Sequence, residues 1–515
     1  MHWAVRAAVR GHLTITISSR TMTTCLRCIP IFCLALAAHA QVPRGWAVAS
    51  NSAGTAAQPG GLTMFHPLVP GTSVPIQGAL PAAITGAGLA QPCGAASVLV
   101  DDAGNLVVGT HAPSGQPVQV FLLTLNGSTV VASSAYTLGI AAFGSGSTNQ
   151  MAWVGPDLLV SNRAPLASGP LANASLGWVR PRLGPPGTPG TVVPITTSTT
   201  MNGIANALAV DSDGQFAYLG RVTGTGPYTS LIYEIPLGGT GPVTPTLLAT
   251  LPDAVLNLAV RQYGCLIATI GQRAPGNVNA LHFLATWSPG LVLGSLPGPG
   301  QPSALALDTV TGDVLIGDYT TGQVLRSTPF SSYQYSTPTL VTTCPVLIDG
   351  TAIRPAMNTF GAASPPSGPS WITVPSGFGG SSSGPPNPEL PTLGNANFGL
   401  TVITAWGWWW WPPQTLCLFV ISKGHSNPPI PLPAPFFVDL LLDPGTAQML
   451  SLQTAVLYGW SPWGPPSCLP SPACATAPLP IPKVPTLAGL DLFAQVFAVE
   501  NGTWSASAGL QFTPF

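Results

Sequence analysis

Hydrophobic residues in this chain come in short runs, and turns rich in Gly, Pro or Asp separate the runs. The clearest unit is Ala207–Gly220, ALAVDSDGQFAYLG, in which two apolar runs flank a turn that begins with Asp. The same pattern recurs at Ala96–Gly109 and at Ser303–Gly317. Short apolar runs joined by turns that contain Gly are typical of β-hairpins. The repeat therefore predicts antiparallel sheets.

The turns of successive repeats follow one another at a roughly constant distance. The turn residues in chain order are Asp101, Gly155, Asp211, Arg261, Asp308 and Asp349. They are separated by 54, 56, 50, 47 and 41 residues. A period near 50 is typical of propeller blades, each of which is a four-stranded antiparallel sheet. The spacing predicts an all-β chain with a six-bladed β-propeller, and seven blades is the alternative.

The two ends of the repeat region predict how the ring closes. Gly45–Asn51 resembles a second strand of the repeat and Gly61–Leu68 a third, but no first strand precedes them. Val346–Ile348 supplies an apolar run at the other end. We expect one C-terminal strand and three N-terminal strands to share a sheet, which leaves no free edge at the point of closure.

These units resemble the secreted bacterial β-propellers of the NHL and YVTN type, whose blades carry a similar apolar run, Asp, two residues, Gly and a second apolar run. The resemblance covers about residues 42–356, although Gly155 and Arg261 replace the turn Asp in two repeats. Propellers of this kind include enzymes, lectins and scaffolds, so the resemblance constrains function little.

The C-terminal part is predicted to be a separate domain. A segment rich in Gly, Ser and Pro at 361–388 is typical of a linker between a propeller at 41–360 and a second domain at 389–515. Six or more short apolar runs in that domain predict a β-sandwich or jelly roll. Its frame of Pro391–Gly394, Pro485–Gly489 and Gln495 resembles a module that terminates many secreted planctomycete-type proteins. No catalytic residues follow from that resemblance.

The N-terminus has the features of an export signal. Ile29–Ala40 is an apolar run that ends in a small-x-small pattern, so residues 1–40 are predicted to be a signal peptide that is cleaved before Gln41. Translation that begins at Met22 would give a signal of ordinary length. The run is too short for a transmembrane helix. We expect a secreted, cell-surface or periplasmic protein without a transmembrane segment in the mature chain.

Six cysteines remain after this cleavage, and an even number in an exported chain suggests disulfides. Cys468 and Cys474 are the best candidate pair because only a short loop containing Pro separates them. Cys265 with Cys344 is a weaker suggestion, since six cysteines allow 15 connectivities.

Composition excludes some partners. Charged residues make up 6% of the chain, the net charge is -1 and only two lysines are present, Lys423 and Lys483. Such a chain lacks the basic stripe that nucleic acid or an anionic membrane surface requires. The hydrophobic fraction of 46% is high enough for a sizeable core and argues against disorder.

Candidate chemistry in the ring is sparse. Propeller enzymes of the lactonase type bind a divalent metal in the central channel through Glu, Asn and Asp. Asn206, Asp253 and Asn257 lie at or just before predicted first strands and form the candidate metal set. The turn aspartates are better explained as caps of local backbone N–H groups. No cofactor is predicted, and a divalent metal is the alternative.

A cluster of tryptophans marks the C-terminal domain. The residues are Trp406, Trp408, Trp409, Trp410 and Trp411. Exposed aromatic side chains bind sugars, apolar ligands or proteins, whereas packing at the end of the sandwich is the structural alternative.

Three functions are consistent with these observations. The first is an exported, non-enzymatic binding or scaffolding protein whose propeller contacts a protein or glycan at the cell envelope. The second is a propeller hydrolase or lyase that acts on a sugar or lactone with a channel metal. The third is a carbohydrate-binding protein that uses the tryptophan cluster.

Overall fold

The structure is a computed structural model of the 515-residue chain. The chain divides into two compact units, Met1–His39 and Ala40–Phe515, and the described residues all belong to the second unit. The described residues are 41–55, 58–85, 94–101, 103–110, 119–137, 148–154, 157–162, 176–180, 191–195, 204–211, 214–223, 228–237, 243–261, 265–270, 280–286, 288–297, 300–308, 312–328, 335–345, 347–355, 357–360, 371–373, 399–403, 414–433, 439–456, 474–481, 483–484, 487, 490–500, 503–507, 509–512 and 514.

The N-terminal two thirds of the described chain consists of strands and one short helix. In chain order they are β1 (Ala47–Thr55), β2 (Gln58–Phe65), β3 (Ser73–Pro75), β4 (Gln77–Gly78), α1 (Ala82–Thr85), β5 (Ala95–Val100), β6 (Leu106–Thr110), β7 (Gln119–Asn126), β8 (Thr129–Thr137), β9 (Thr148–Val154), β10 (Asp157–Asn162), β11 (Leu176–Arg180), β12 (Thr191–Pro194), β13 (Ile204–Val210), β14 (Phe216–Thr223), β15 (Thr229–Pro236), β16 (Thr246–Pro252), β17 (Val255–Arg261), β18 (Cys265–Ile270), β19 (Ala280–Ala285), β20 (Val292–Pro297), β21 (Pro302–Leu307), β22 (Val314–Asp318), β23 (Gln323–Ser327), β24 (Thr339–Thr343) and β25 (Ile348–Ile353).

Among the described residues, these strands form six small sheets of antiparallel neighbours. The strand orders are β25-β1-β2-β3, β5-β6-β7-β8, β9-β10-β11-β12, β13-β14-β15-β16, β17-β18-β19-β20 and β21-β22-β23-β24. The short strand β4 adds a parallel partner to the outer edge of β8. We call these sheets 1 to 6 in that order. The predicted all-β repeat architecture is therefore confirmed.

The first strands of the six sheets contact one another in a closed cycle. β25 contacts β5, and the contacts continue through β9, β13, β17 and β21 back to β25. Six apolar clusters fill the six interfaces between neighbouring sheets. Each sheet therefore buries both faces against its neighbours. This explains why runs such as Ala207–Val210 are continuously apolar instead of alternating. The arrangement is that of a propeller-like ring.

The ring closes through the two ends of its chain, as the sequence predicted. The C-terminal strand is Ile348–Ile353, however, and not Val346–Ile348, so Asp349 lies within this strand and not in a turn. β1 pairs with β2 on one side and with β25 on the other, and Val48 lies opposite Ala352 in the second pairing. Three N-terminal strands and one C-terminal strand thus share sheet 1. Backbone hydrogen bonds join the first and last strands of the ring, which makes closure part of the sheet itself.

Each first strand carries one extra residue at the same level, as a β-bulge. The residues opposite each bulge on the second strands are Ser50, Gly109, Ser161, Gly220, Thr269 and Gly317. We call these six positions the small-residue ring. Every member is Gly, Ser or Thr, and at Gly220 and Gly317 the first strand of the next sheet packs directly against this level.

The close approach at this level is visible at two glycines. A methyl group on Gly220 would lie 2.7 Å from Cγ1 of Val255, in the next sheet. A methyl group on Gly317 would lie 2.7 Å from Cγ2 of Ile348 and 2.9 Å from Cβ of Ala304. Since carbon atoms pack at about 3.5–4.0 Å, neither position has room for a side chain.

The three hydroxyl members of the small-residue ring all donate a hydrogen bond to the first strand of their own sheet. Ser50 donates to the carbonyl of Gly350, Ser161 to that of Gln150 and Thr269 to that of Asn257, over 3.2 to 3.4 Å. A bulge leaves a ladder carbonyl without its regular partner. The hydroxyl group supplies that partner where the residue is not glycine.

In the C-terminal part, the described residues form eleven further strands. They are β26 (Met357–Phe360), β27 (Trp371–Thr373), β28 (Gly399–Ile403), β29 (Gln414–Ser422), β30 (His425–Pro431), β31 (Asp439–Leu442), β32 (Gln448–Val456), β33 (Cys474–Pro478), β34 (Leu492–Glu500), β35 (Thr503–Ala506) and β36 (Gly509–Phe512). They form a sheet with the order β26-β36-β34-β29-β32, in which β35 also pairs with β34, together with the sheets β27-β28-β33 and β30-β31.

Two of these strands come from segments that the sequence assigned elsewhere. β26 lies within the predicted propeller range, but it pairs with β36 near the C-terminus. β27 lies within the predicted linker and pairs with β28. Both segments therefore take part in the C-terminal sheets.

Buried polar groups connect the elements of the C-terminal part. Gln495 on β34 is fully buried. Its Oε1 accepts a hydrogen bond from the backbone N–H of Leu441 on β31, and its Nε2 donates one to the carbonyl of Ser507. Because a side chain of β34 binds the backbone of β31, the sheet β30-β31 packs against the face of the larger sheet. Arg44 also binds this part, through a 3.2 Å ion pair between its Nε and Oδ1 of Asp491.

The helix α1 has four residues. Within the described chain, no helix has the length and apolar character needed to cross a membrane.

We expect Gly317→Ala to destabilise the ring. The added methyl group would overlap Ile348 and Ala304, and overpacking of this kind costs about 1–3 kcal/mol. The measurement is the free energy of unfolding from urea titration, followed by intrinsic tryptophan fluorescence.

Gly61→Ala is the matched control. Gly61 also lies in a strand, but a methyl group there would meet only Oδ1 of Asn51, at 3.5 Å. Equal stability losses in the two variants would contradict the packing role of Gly317.

Candidate functional site

The first candidate site lies where the first strands of the six sheets carry their bulges, because several of the extra residues there are polar. The extra residues include Asn206, Ser303 and Asp349. Bulges often occur next to functional sites. The side-chain oxygens described at this level bind protein groups: Ser303 donates to the carbonyl of Ile348, and Ser52 donates to the carboxylate of Asp349.

The three residues of the predicted metal set lie on or next to first strands. Asn206 is the bulge residue of β13, and its side chain lies outside the described residues. Asn257 is 2% exposed, and its Oδ1 accepts a hydrogen bond from the N–H of Leu258. Over the residues that the structure describes, no group of three or more His, Cys, Asp or Glu side chains has a metal-binding arrangement.

Asp253 occupies a strained position between sheets 4 and 5. Its φ is 68°, a left-handed conformation that is uncommon for a residue other than Gly. Ser230 stabilises it: the hydroxyl donates to the carbonyl of Asp253 over 2.6 Å and accepts from the N–H of Val255 over 2.6 Å. The backbone therefore turns from the outer strand of one sheet into the inner strand of the next at this residue.

Asp253 also lies near His282, a neighbour that the sequence did not reveal. Burial lowers the pKa of His282 below its ordinary value, and the negative charge of Asp253 opposes this shift. His282 lies on β19, a third strand, and its Nδ1 is buried without a hydrogen-bond partner among the described residues. A carboxylate beside an imidazole is a unit that general-base catalysis uses.

Two of the turn aspartates, Asp101 and Asp211, serve as backbone caps, as predicted. Asp101 Oδ1 accepts the N–H of Asn105 over 2.8 Å, and Asp211 Oδ1 accepts the N–H groups of Gln215 and Phe216. These carboxylates are therefore engaged in forming the hairpin turns.

Two further aspartates, in sheet 6, are buried. Asp318 is 1% exposed, and its Oδ1 accepts hydrogen bonds from the N–H groups of Gln301, Thr320 and Thr321 and from the hydroxyl of Thr320. Asp313 binds Arg326 through two hydrogen bonds to Oδ2, of 2.5 and 2.9 Å. Both acids thus stabilise the fold locally.

His66 is a structural residue of sheet 1. Its Nδ1 accepts the N–H of Leu68 over 3.2 Å, and its ring packs edge-on against Trp46. Burial, assisted by the positive charge of Arg326, lowers its pKa from 6.5 to about 4. His66 is therefore neutral in the folded protein at neutral pH.

The predicted disulfides have different outcomes. Cys344 is a buried free thiol whose pKa burial raises to about 11, so the suggested pairing of Cys344 with Cys265 is wrong. Cys417 is also free and buried. Cys468 lies outside the described residues, and Cys474 begins β33. Their disulfide stays a prediction.

The predicted tryptophan cluster also lies outside the described residues. Its members are Trp406, Trp408, Trp409, Trp410 and Trp411. The described strand β28 ends just before this cluster and β29 begins just after it. Its proposed role in ligand binding stays a prediction.

The outer strands of the ring form a second candidate site, which the sequence analysis missed. Five of the six fourth strands expose one large aliphatic side chain, between 36 and 51% exposed. These residues are Val74, Val131, Leu247, Val292 and Leu340. All six fourth strands, β3, β8, β12, β16, β20 and β24, lack charged residues. We call this surface the outer apolar rim. The run of apolar residues in β16 was a usable signal, but it did not show which of them was exposed.

We expect the neutral form of His66 to make the ring sensitive to acid. The folded protein binds the proton more weakly than the unfolded chain, so this contribution is intact above about pH 6.5 and is lost as the pH falls toward about 4. His66→Gln cannot gain a proton, and its melting temperature should fall less between pH 7 and pH 5. Parallel losses in both proteins would show that His66 is not the sensitive group.

Comparisons with other proteins show only distant similarity. No protein-family model matches this sequence, and none of the curated proteins matches it. Among solved structures, a chain of the nidogen/laminin complex is 11% identical, with 60% of this chain and 100% of that chain covered and a TM-score of 0.42. A protein from Lactobacillus plantarum is 11% identical, with 60% and 98% covered and a TM-score of 0.40. The Dos1 propeller is 10% identical, with 57% and 68% covered and a TM-score of 0.34. All three TM-scores are low, so the strand pairing described above carries the fold assignment.

Proposed function

We propose that this chain is an exported protein that binds other proteins at the cell envelope and serves as a scaffold there. Its six ring sheets are the blades of a six-bladed β-propeller, and its C-terminal sheets form a β-sandwich. The closed cycle of first strands and the packing of β31 on β34 support this architecture. The export signal predicted at residues 1–40 supports the location.

The outer apolar rim is the observation that carries the proposed function. Soluble proteins usually protect edge strands with charged residues, especially Lys. The fourth strands of this ring have no charged residue, and Leu247, Val292 and Leu340 expose aliphatic side chains on three successive sheets. Repeated exposed apolar groups on strands without charged residues are typical of a contact surface for another protein.

The chemistry of the rim favours a protein partner over a glycan. Sugars bind to flat aromatic rings, which pack on their C–H faces and offer a polar edge. The rim residues described here are valines and leucines. Aliphatic side chains of this size fill apolar pockets or pack beside the side chains of a partner β-strand.

Charged residues on the outer apolar rim should abolish binding of this protein to its partner at the cell envelope. We expect the triple variant Leu247→Lys, Val292→Lys and Leu340→Lys to leave the cell-envelope fraction of the native host and to accumulate in the soluble fraction. The reason is that each Lys would have to be desolvated in an apolar contact. The measurement is quantitative immunoblotting of the fractions, with sedimentation velocity of the purified proteins.

Gln215→Lys is the control for an added charge, because Gln215 is exposed in a hairpin turn away from the fourth strands. It should fractionate as the wild type does. Unchanged envelope association of the triple variant, with circular dichroism that confirms folding, would refute the proposed role of the rim.

A hydrolase is the second candidate, and the proximity of Asp253 to His282 favours it. The imidazole would act as the general base that activates water or a hydroxyl group toward a lactone or glycoside. If so, His282→Asn should lower turnover of a lactone or aryl glycoside substrate by about a hundredfold or more. His425→Asn, a change at an exposed position on β30, is the control. Wild-type protein without turnover, measured together with its metal content, would refute this function.

A further inference from the structure

The first residues after the predicted cleavage site are built into the ring. Val42 is fully buried in the apolar cluster between sheets 1 and 2. Its N–H donates to the carbonyl of Gly104 over 2.9 Å, and Nη1 of Arg354 donates to its carbonyl over 2.5 Å. A chain that begins at Gln41 therefore has its second residue fixed on both sides.

Gln41 lies close to the guanidinium group of Arg354. A methyl group on Gly104 would lie 2.5 Å from Nη1 of Arg354 and 2.7 Å from Cβ of Gln41. Because both atoms lie so near the same position, Nη1 of Arg354 and Cβ of Gln41 are close neighbours. Gly104 has a φ of 86° in a turn that leaves space for both side chains.

Cleavage before Gln41 would place a new positive charge beside this guanidinium. The α-amino group is attached to Cα of Gln41, one bond from the Cβ that approaches Arg354. A nearby like charge disfavours the protonated form of an amine. The uncharged amine, which is the nucleophilic form, is therefore favoured at this site.

We propose that Gln41, once cleavage has exposed its α-amine, is a modification site that closes to a pyroglutamyl lactam. This inference rests on the proposed export. The α-nitrogen attacks Cδ of its own side-chain amide, and a new C–N bond closes a five-membered ring. The Cδ–Nε2 bond breaks, and Nε2 leaves as ammonia with a proton taken from the α-nitrogen. No oxidant or cofactor is required.

The lactam removes the positive charge of the α-amine beside Arg354 and retains a carbonyl group. Its ring carbonyl can accept hydrogen bonds, and Arg354 presents N–H donors next to it. Because the ring has no primary amine, aminopeptidases cannot remove residues stepwise from this end. A mature envelope protein would thus keep the buried Val42 anchor intact.

The first test is mass spectrometry of the tryptic N-terminal peptide from protein that the native host has exported. We expect Gln41–Arg44, lighter by one ammonia and resistant to Edman degradation. A peptide that begins at Gln41 with a free amine would overturn the lactam. A peptide that begins at another residue would refute both the cleavage and the natural modification, and the intrinsic reactivity would then be decided by the second test.

The second test measures lactam closure in protein from which a protease has removed an artificial leader, leaving Gln41 first. At about pH 6.5, below the ordinary range of an α-amine, the folded wild type should close about two- to fourfold faster than Arg354→Gln, as expected for like charges roughly 5 to 8 Å apart in water. Arg354→Lys keeps the charge and should close at the wild-type rate. Gln41→Ala must retain its free amine.

Denaturation distinguishes the folded site from the reactivity of the peptide itself. In urea the wild type and Arg354→Gln should close at one common, slower rate, because Arg354 no longer lies beside the α-amine. Equal rates for these two proteins in the folded state would overturn the role of Arg354. Circular dichroism of both folded proteins confirms that the comparison is between native structures.

Discussion

The ring depends on the close packing of its first strands at the level of the six bulges. At this level each second strand presents Gly, Ser or Thr, and at Gly220 and Gly317 the first strand of the next sheet leaves no room for a side chain. Gly220 and Gly317 provide the space, and Ser161 and Thr269 add a hydrogen bond to the carbonyl that the bulge exposes. Packing density in protein interiors leaves little tolerance for added atoms at such points. A chain that places a small residue at this level in all six sheets can form a closed ring.

The scarcity of charge has different consequences for the inside and the outside of the ring. Inside, the few acids are engaged in local structure: Asp101 and Asp211 cap turns, and Asp313 binds Arg326. Outside, the fourth strands lack the charged residues that usually prevent association through sheet edges. The same composition therefore allows the sheets to pack tightly and leaves the aliphatic side chains of the outer apolar rim exposed.

The N-terminal segment connects three parts of the molecule. Val42 and Gly104 form a backbone hydrogen bond, Arg354 binds the carbonyl of Val42, and Arg44 forms an ion pair with Asp491 near the C-terminus. The first strands of the ring, its closing strand β25 and the C-terminal sheets thus meet around residues 41–46. Processing at this end of the chain would affect the region where the ring closes.

The sequence alone determined the strand repeat, the pairing of the chain ends in sheet 1 and the capping role of Asp101 and Asp211, because these features depend on local hydrophobic pattern and turn chemistry. The second-strand glycines, Gly109, Gly220 and Gly317, were visible as a motif, but only the structure showed the neighbouring strand that requires them. The proximity of Asp253 to His282 and the exposure of Leu247 and Leu340 also depend on the tertiary structure, as does the free thiol of Cys344. Residues far apart in sequence meet through sheet packing, and no periodicity within one strand specifies which neighbour covers it or leaves it exposed.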